Sequence, residues 1–159
     1  MSLSTTSTVD ELSELHLYDK NIVSLGQIRN LSLCSKLQDL SLHCNAITSV
    51  SHLDSLSSLT SLNLSSNKIS KIEGLSHLVR LTTLNLSCNE VMAIITATLR
   101  ADSIAQIRCV EGLDELRSLK ILVLSYNKIT SLEGLNPSKF LGEVMFSNFG
   151  LILICFARR

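Results

Sequence analysis

The chain has 159 residues, enough for one domain with a sizeable core. Its 14 basic residues balance its 14 acidic ones, which removes the electrostatic case for nucleic acid or an anionic membrane surface as partner. Hydrophobic residues make up 45% but aromatics only 4%, with a single proline, so the core must use many equivalent aliphatic positions, as a repeat does.

The N-terminal flank, residues 1–11, reads MSLSTTSTVDE. It lacks a basic run followed by an apolar one, so no secretory signal is expected. The five cysteines (Cys34, Cys44, Cys88, Cys109 and Cys155) are odd in number and show no metal-binding spacing. Free thiols in a reducing, cytoplasmic setting are the simplest expectation. Asn-Leu-Ser triplets at Asn30, Asn63 and Asn85 match the glycosylation sequon formally, and two of them are by-products of the repeat.

From Leu12 the chain repeats itself. Leu37, Leu40, Leu42, Asn45, Ile47, Val50, Leu53 and Leu56 form one unit, and Leu59, Leu62, Leu64, Asn67, Ile69, Ile72, Leu75 and Leu78 form the next, 22 residues later. A third begins Leu81, Leu84, Leu86, Asn89, and a fourth runs Leu119, Leu122, Leu124, Asn127, Ile129, Leu132, Leu135. Upstream, Leu12, Leu15, Leu17, Ile22, Leu25, Ile28 and Leu31 make a looser copy with Lys20 in the Asn position. The LxL alternation predicts a short strand with its leucines on one face. Asn predicts a turn, since its amide both donates and accepts hydrogen bonds. The apolar residues three apart predict a return through short helices or 3₁₀ turns. Gly74, Gly112 and Gly134 share one place in the unit, where a bend or a close backbone approach is expected. No unit buries its apolar side alone, so stability is shared between neighbours.

The expected fold is an α/β leucine-rich repeat solenoid of about five units over 12–140, with a short parallel sheet on the concave face. The Leu, Ile and Asn ladder (Asn45, Asn67, Asn89, Asn127) is architecture, so function belongs on the residues that point away from it. These outward positions run Glu14, His16, Tyr18, Asp19; then Asp39, Ser41, His43, Cys44; then Ser61, Asn63, Ser65, Ser66. They continue with Thr83, Asn85, Ser87, Cys88 and end with Ile121, Val123, Ser125, Tyr126. Charge, histidine and an aromatic mark the N-terminal end, small polar residues the middle, and apolar residues the C-terminal end. Such a gradient suits a protein partner, with Tyr18 and Tyr126 as anchors. Glu14, His16, Asp39, His43 and Cys44 are the only grouping with metal or acid–base character, and nothing in the sequence converges them with a supporting shell. No nucleophile motif, phosphate-cradling loop or carboxylate pair is present. The expectation is a protein without catalytic residues, cofactor or metal.

Two segments depart from the repeat. The unit starting at Leu81 is 38 residues long, 16 more than its neighbours, and the pattern resumes at IRCVEGL. The extra residues are Val91–Gln106. They read as a bulging loop or helix, as a partner-binding element, or as translated non-coding sequence, since Val codons begin GT and one Gln codon is CAG. The second departure is 141–159. It reads as a degenerate sixth strand, with Leu141, Val144 and Phe146 in the LxxLxL positions, or as a membrane anchor. Leu141–Ala157 has 17 residues and contains Glu143 and Asn148, short of the ~20 apolar residues a span needs. The strand is therefore the favoured reading, and a membrane is not expected as a partner. A Phe-, Leu- and Ile-rich end is a poor cap, so aggregation or pairing through it is expected.

The unit with NKIxxIEGL resembles the class of intracellular leucine-rich repeats typified by the regulatory subunit of protein phosphatase type one. Within that class LYDKNI, LSLHCNAIT, LNLSSNKISKIEGL, LTTLNLSCN and VLSYNKITSLEGL are most similar to the N-terminal repeats of the centrosomal leucine-rich repeat and coiled-coil family. The resemblance covers roughly Leu12–Asn136 apart from the insertion. It implies a scaffold at centrosomes or cilia in the cytoskeleton that works by protein contacts. The family's coiled coil has no counterpart here, since no heptad run follows Gly134.

Overall fold

The computed structural model describes residues 9–90, 113, 115–127, 143–146 and 152–155. The Val91–Gln106 insertion, Gly112 and Gly134 lie outside the described residues.

In β1 to β5 the strand is centred on the first leucine of each LxL triplet, with one residue on either side, and the strands stack in chain order. They are β1 (Glu14–His16), β2 (Asp39–Ser41), β3 (Ser61–Asn63), β4 (Thr83–Asn85), β5 (Ile121–Val123), β6 (Glu143–Phe146) and β7 (Ile152–Cys155). They form one seven-stranded sheet in which β1 to β6 run parallel and β7 returns antiparallel to β6. Register follows the repeat: Leu15, Leu40, Leu62 and Leu84 align, then Leu122 and Val144. β4 pairs directly with β5, so the sheet crosses the 91–106 insertion without a break in register.

The core is the inner side of this stack. Leu40, Leu62 and Leu84 have no solvent exposure, nor do Leu42, Leu64 and Leu86 one step along. The return segments add Ile47, Leu53, Leu56 and Leu59 from one coil and Ile69, Leu75, Leu78 and Leu81 from the next. These residues recur every three positions because the return is made of single turns. Leu56 N–H donates to Leu53 O, and Leu59 N–H to Leu56 O, each at 3.0 Å. The pattern repeats at Leu75–Leu78–Leu81 and Leu113–Leu116–Leu119. Among the described residues, 3₁₀ helix itself forms only in the first coil, at Leu25–Gln27 and Leu31–Leu33. That coil advances 25 residues from Leu12 to Leu37, against 22 in the next two, and the extra length lets the turns develop. Ser24 and Gln27 close the first of these helices with a reciprocal capping box.

Three ladders lock the coils together. At the strand entry Thr60 N–H bonds Gln38 O, Thr82 N–H bonds Thr60 O, and the Thr60 and Thr82 hydroxyls reach the same carbonyls at 3.0 and 2.9 Å. Past the strand, a left-handed residue in each of the five described coils turns the chain: Asp19, Cys44, Ser66, Cys88 and Tyr126, with φ between 52° and 56°. The third ladder is asparagine. Asn67 Nδ2 donates to Leu64 O and Ser65 O in its own coil and to Leu42 O in the coil before, while its Oδ1 accepts from Ile47 N–H. Asn89 repeats the set with Leu86, Ser87, Leu64 and Ile69. Asn127 donates to Leu86 O, across the insertion, at 2.8 Å. Lys20 has no amide to give, but its N–H and that of Ile22 both bond Asn45 Oδ1 at 3.0 Å. The first coil is thus held by its neighbour's asparagine.

Gly74 has φ +72°, and a Cβ there would run into the Val50 carbonyl oxygen. The close approach expected from the sequence is a contact with the preceding coil.

Candidate protein-interaction face

Alternation in a strand sends every second side chain away from the core. The parallel register then lines these up as columns. Glu14, Asp39, Ser61, Thr83 and Ile121 form one, and His16, Ser41, Asn63, Asn85 and Val123 the next. Beyond the second leucine, a third column follows the same order with Tyr18, His43, Ser65, Ser87 and Ser125.

The N-terminal end of this face is an aromatic shelf. The Tyr18 and His43 rings stack at 5.2 Å with 17° between their planes. Lys20 Nζ stands 6.0 Å from the Tyr18 ring centre, and Tyr18 remains 56% exposed. Ser41 Oγ lies 2.9 Å from His43 Nδ1, which fixes the imidazole against the tyrosine. Ser41 is itself buried, so it serves as an orienting group behind the shelf rather than as a contact.

In the middle, two identical devices sit side by side. Asn63 Oδ1 accepts from both the N–H and the hydroxyl of Ser65, and Asn85 Oδ1 does the same for Ser87, with hydroxyl distances of 2.7 Å. These short side chains are half-buried and pinned, which leaves a low, polar, rigid strip. At the far end Ile121 and Val123 are half-exposed, Tyr126 is 61% exposed and Ser125 is buried. Tyr18 and Tyr126 thus stand at opposite ends of the row of five described coils.

The charged and histidine residues do not converge. His16 Nε2 lies 3.7 Å from Glu14 Oε2 within one strand, while His43 is engaged by Tyr18 and Ser41. Among the described residues no group of three or more His, Cys, Asp or Glu is placed to hold a metal ion. Of the cysteines, Cys44 and Cys88 are exposed at the left-handed turns and Cys34 is buried in the core, all three as free thiols. Burial raises the Cys34 pKa, and the Asp10 charge adds to the effect.

Beside the strand entries runs a groove of about 730 Å³, lined by Lys36, Gln38, Ser58, Thr60, Arg80, Thr82, Arg117, Ser118 and Lys120. Most of these residues flank the first leucine of successive units. Aligning those two flanking columns would have exposed the clustering of basic residues that an overall balance of zero conceals.

The columns, the asparagine ladder and the parallel stack define a leucine-rich repeat solenoid. Family models agree: one described as "Leucine rich repeat" matches residues 10–69, "Leucine Rich repeats (2 copies)" matches 57–97 and "Leucine Rich repeat" matches 115–132. The chain carries leucine-rich repeats over most of its described length. Among solved structures it is similar to internalin C2 of Listeria monocytogenes, at 23% identity and TM-score 0.66, over 90% of this chain and 56% of that one. The internalin InlF of the same organism aligns at 25% identity and TM-score 0.62, over 92% and 38%. The leucine-rich repeat ectodomain of the receptor kinase SOBIR1 from Arabidopsis thaliana aligns at 20% identity and TM-score 0.51, over 84% and 67%. This chain therefore spans about half or less of the two internalin chains. No curated protein matches the sequence. Leucine-rich repeat domains generally mediate protein–protein interaction, and no helix among the described residues is long and apolar enough to cross a membrane.

Proposed function

We propose that this chain is a non-catalytic interaction module that binds a protein partner on the open face of its sheet. The observation that carries the proposal is the graded surface: an exposed Tyr18–His43 stack at one end, a rigid Asn–Ser strip in the middle, and half-exposed Ile121 and Val123 with exposed Tyr126 at the other. Aromatic anchors on a scaffold that loses little side-chain freedom favour protein recognition. Resemblance to centrosomal leucine-rich repeat proteins supports a place at the centrosome or cilium, with a scaffolding role there. The 22-residue spacing of the coils from Leu37 to Leu81 favours one second reading, regulation of a protein phosphatase, because that repeat class includes such a regulator.

Proximity labelling with the wild-type chain and with Ser65→Glu, Ser87→Glu and Val123→Glu tests the reading. A set of centrosomal or ciliary proteins lost in the variants is the expected result, and a phosphatase catalytic subunit lost in the same way supports the second reading. Partners retained by all three variants would exclude the sheet face. The alternative of an adaptor tethered to membrane through 141–159 predicts that the protein stays with membranes after carbonate extraction. Here β7 (Ile152–Cys155) is paired as a strand with β6, and full release into the carbonate supernatant is expected.

A further inference from the structure

We infer that the groove at the strand entries is a second recognition site, separate from the sheet face, and that it takes an acidic, extended peptide segment of a partner protein. The two columns that form it flank the first leucine of each unit: Lys36 and Gln38, Ser58 and Thr60, Arg80 and Thr82, Ser118 and Lys120. They lie on the edge where the chain enters β2, β3, β4 and β5, not on the face that carries Tyr18 and Tyr126. Among the described lining residues four are cations and none is a carboxylate.

The cations differ in availability. Lys36 Nζ is 2.6 Å from Glu11 Oε1, whose hydrogen bond and charge raise the lysine pKa. Arg117 Nη2 is 3.3 Å from Glu115. No carboxylate among the described residues pairs with Arg80 or Lys120, and both are exposed. An exposed pair such as Arg117–Glu115 is worth little, so an incoming carboxylate can recruit Arg117 as well. The positive charge is therefore concentrated on the coils that carry β4 and β5.

Dimensions and lining favour a peptide. Strands ~4.8 Å apart give four coils a span of roughly 14 Å, which an extended segment of about five residues fills. The amide of Gln38 and the hydroxyls of Ser58 and Ser118 lie between the cations, suited to a peptide backbone, while the Thr60 and Thr82 hydroxyls, whose protons go to the carbonyl ladder, can only accept from a peptide N–H. Nucleic acid fits less well. Among the described residues no aromatic side chain lines the groove to stack a base, and two of the four cations already have carboxylate partners.

Fluorescence anisotropy of the full chain with a labelled hexapeptide of alternating Glu and Gly tests the inference. Binding at low salt is expected, weakening severalfold as salt is raised past the point where the Debye length is ~10 Å. Arg80→Glu with Lys120→Glu should weaken it at least about tenfold, since each removes a charge-assisted bond and adds a repulsion. Arg80→Gln alone should weaken it by a smaller factor, and Tyr18→Ala should change it less than about twofold, as the sheet face is elsewhere. A Gln-for-Glu peptide should not bind. No binding of the acidic peptide, or binding indifferent to Arg80→Gln and to the double reversal, overturns the inference. Tighter binding of a single-stranded oligonucleotide of equal charge, with the same sensitivity, would overturn the peptide assignment.

Discussion

Asn67 shows how one side chain holds two coils. It is 8% exposed and satisfies three carbonyls and one N–H, two of those four groups in the preceding coil. Asn67→Ala leaves the Ile47 N–H without its acceptor, while Leu42 O, Leu64 O and Ser65 O keep Asn45 Nδ2, Asn89 Nδ2 and Cys44 N–H, and we expect a loss of about 1–3 kcal/mol in urea unfolding. Asn45 has an equivalent set but is only half-buried, so solvent replaces part of it. The Asn45→Ala loss should be the smaller of the two when both are measured together. Gly74→Ala meets both an unfavourable φ and the Val50 carbonyl, and should cost about 1–3 kcal/mol in the same assay. The cysteines divide by environment. Under native alkylation followed by mass spectrometry, Cys44 and Cys88 should be modified well before Cys34. Because the folded Cys34 pKa is raised, the native state holds that proton where the unfolded chain releases it. Its contribution is intact below the unfolded value and declines as pH rises above ~8.5 towards the folded value. Replacing Cys34 by Ala should flatten that alkaline decline in unfolding measurements.

An element here is a coil, and it is stable only against its neighbours. The three-residue strands would not persist alone, and the Gln38–Thr60–Thr82 ladder ties each to the one before it. Thr82→Val removes the hydroxyl bond to Thr60 O at nearly constant shape and should cost about 0.5–1.5 kcal/mol. By contrast, Leu62→Ala empties a site with no exposure at the centre of the sheet and should cost about 2–5 kcal/mol. Comparing the two midpoints in urea separates edge hydrogen bonding from core packing. The coil was legible in the sequence because its period is short and its inner positions tolerate only aliphatic residues. The turn chemistry was legible at Asn67 and Asn89 for the same reason. It was not legible at Lys20, which has no amide of its own and whose N–H joins that of Ile22 on Asn45 Oδ1, 25 residues away, beyond the bond that Ile47 and Ile69 each make to the next coil's asparagine.

For the whole molecule, a one-dimensional stack predicts graded protection. Amide exchange should be slowest at Leu62 and Leu84, which have described coils on both sides, and faster at Leu15 in the edge strand β1. Equal protection along β1 to β4, measured by native-state exchange, would argue for a single cooperative unit instead. The same linearity explains how the sheet accommodates Val91–Gln106. Extra residues in a return segment leave the strand register untouched, and β4 and β5 pair as any other neighbours do.

The period, the strands, the core leucines and the asparagine turns are legible in the chain alone, because each is a local rule repeated at a constant interval. So are the outward-pointing columns, since strand alternation leaves no other place for them. How those columns behave follows from the stacking of the coils. Tyr18 stacks on His43 because parallel register brings residues 25 positions apart to adjacent rungs. Ser41 turns from a contact into a support, and the metal-like grouping fails to converge. Lys36, Arg80, Arg117 and Lys120, scattered through a neutral chain, become one basic groove. Charge and contact depend on distance in space, and stacking one coil on the next sets those distances.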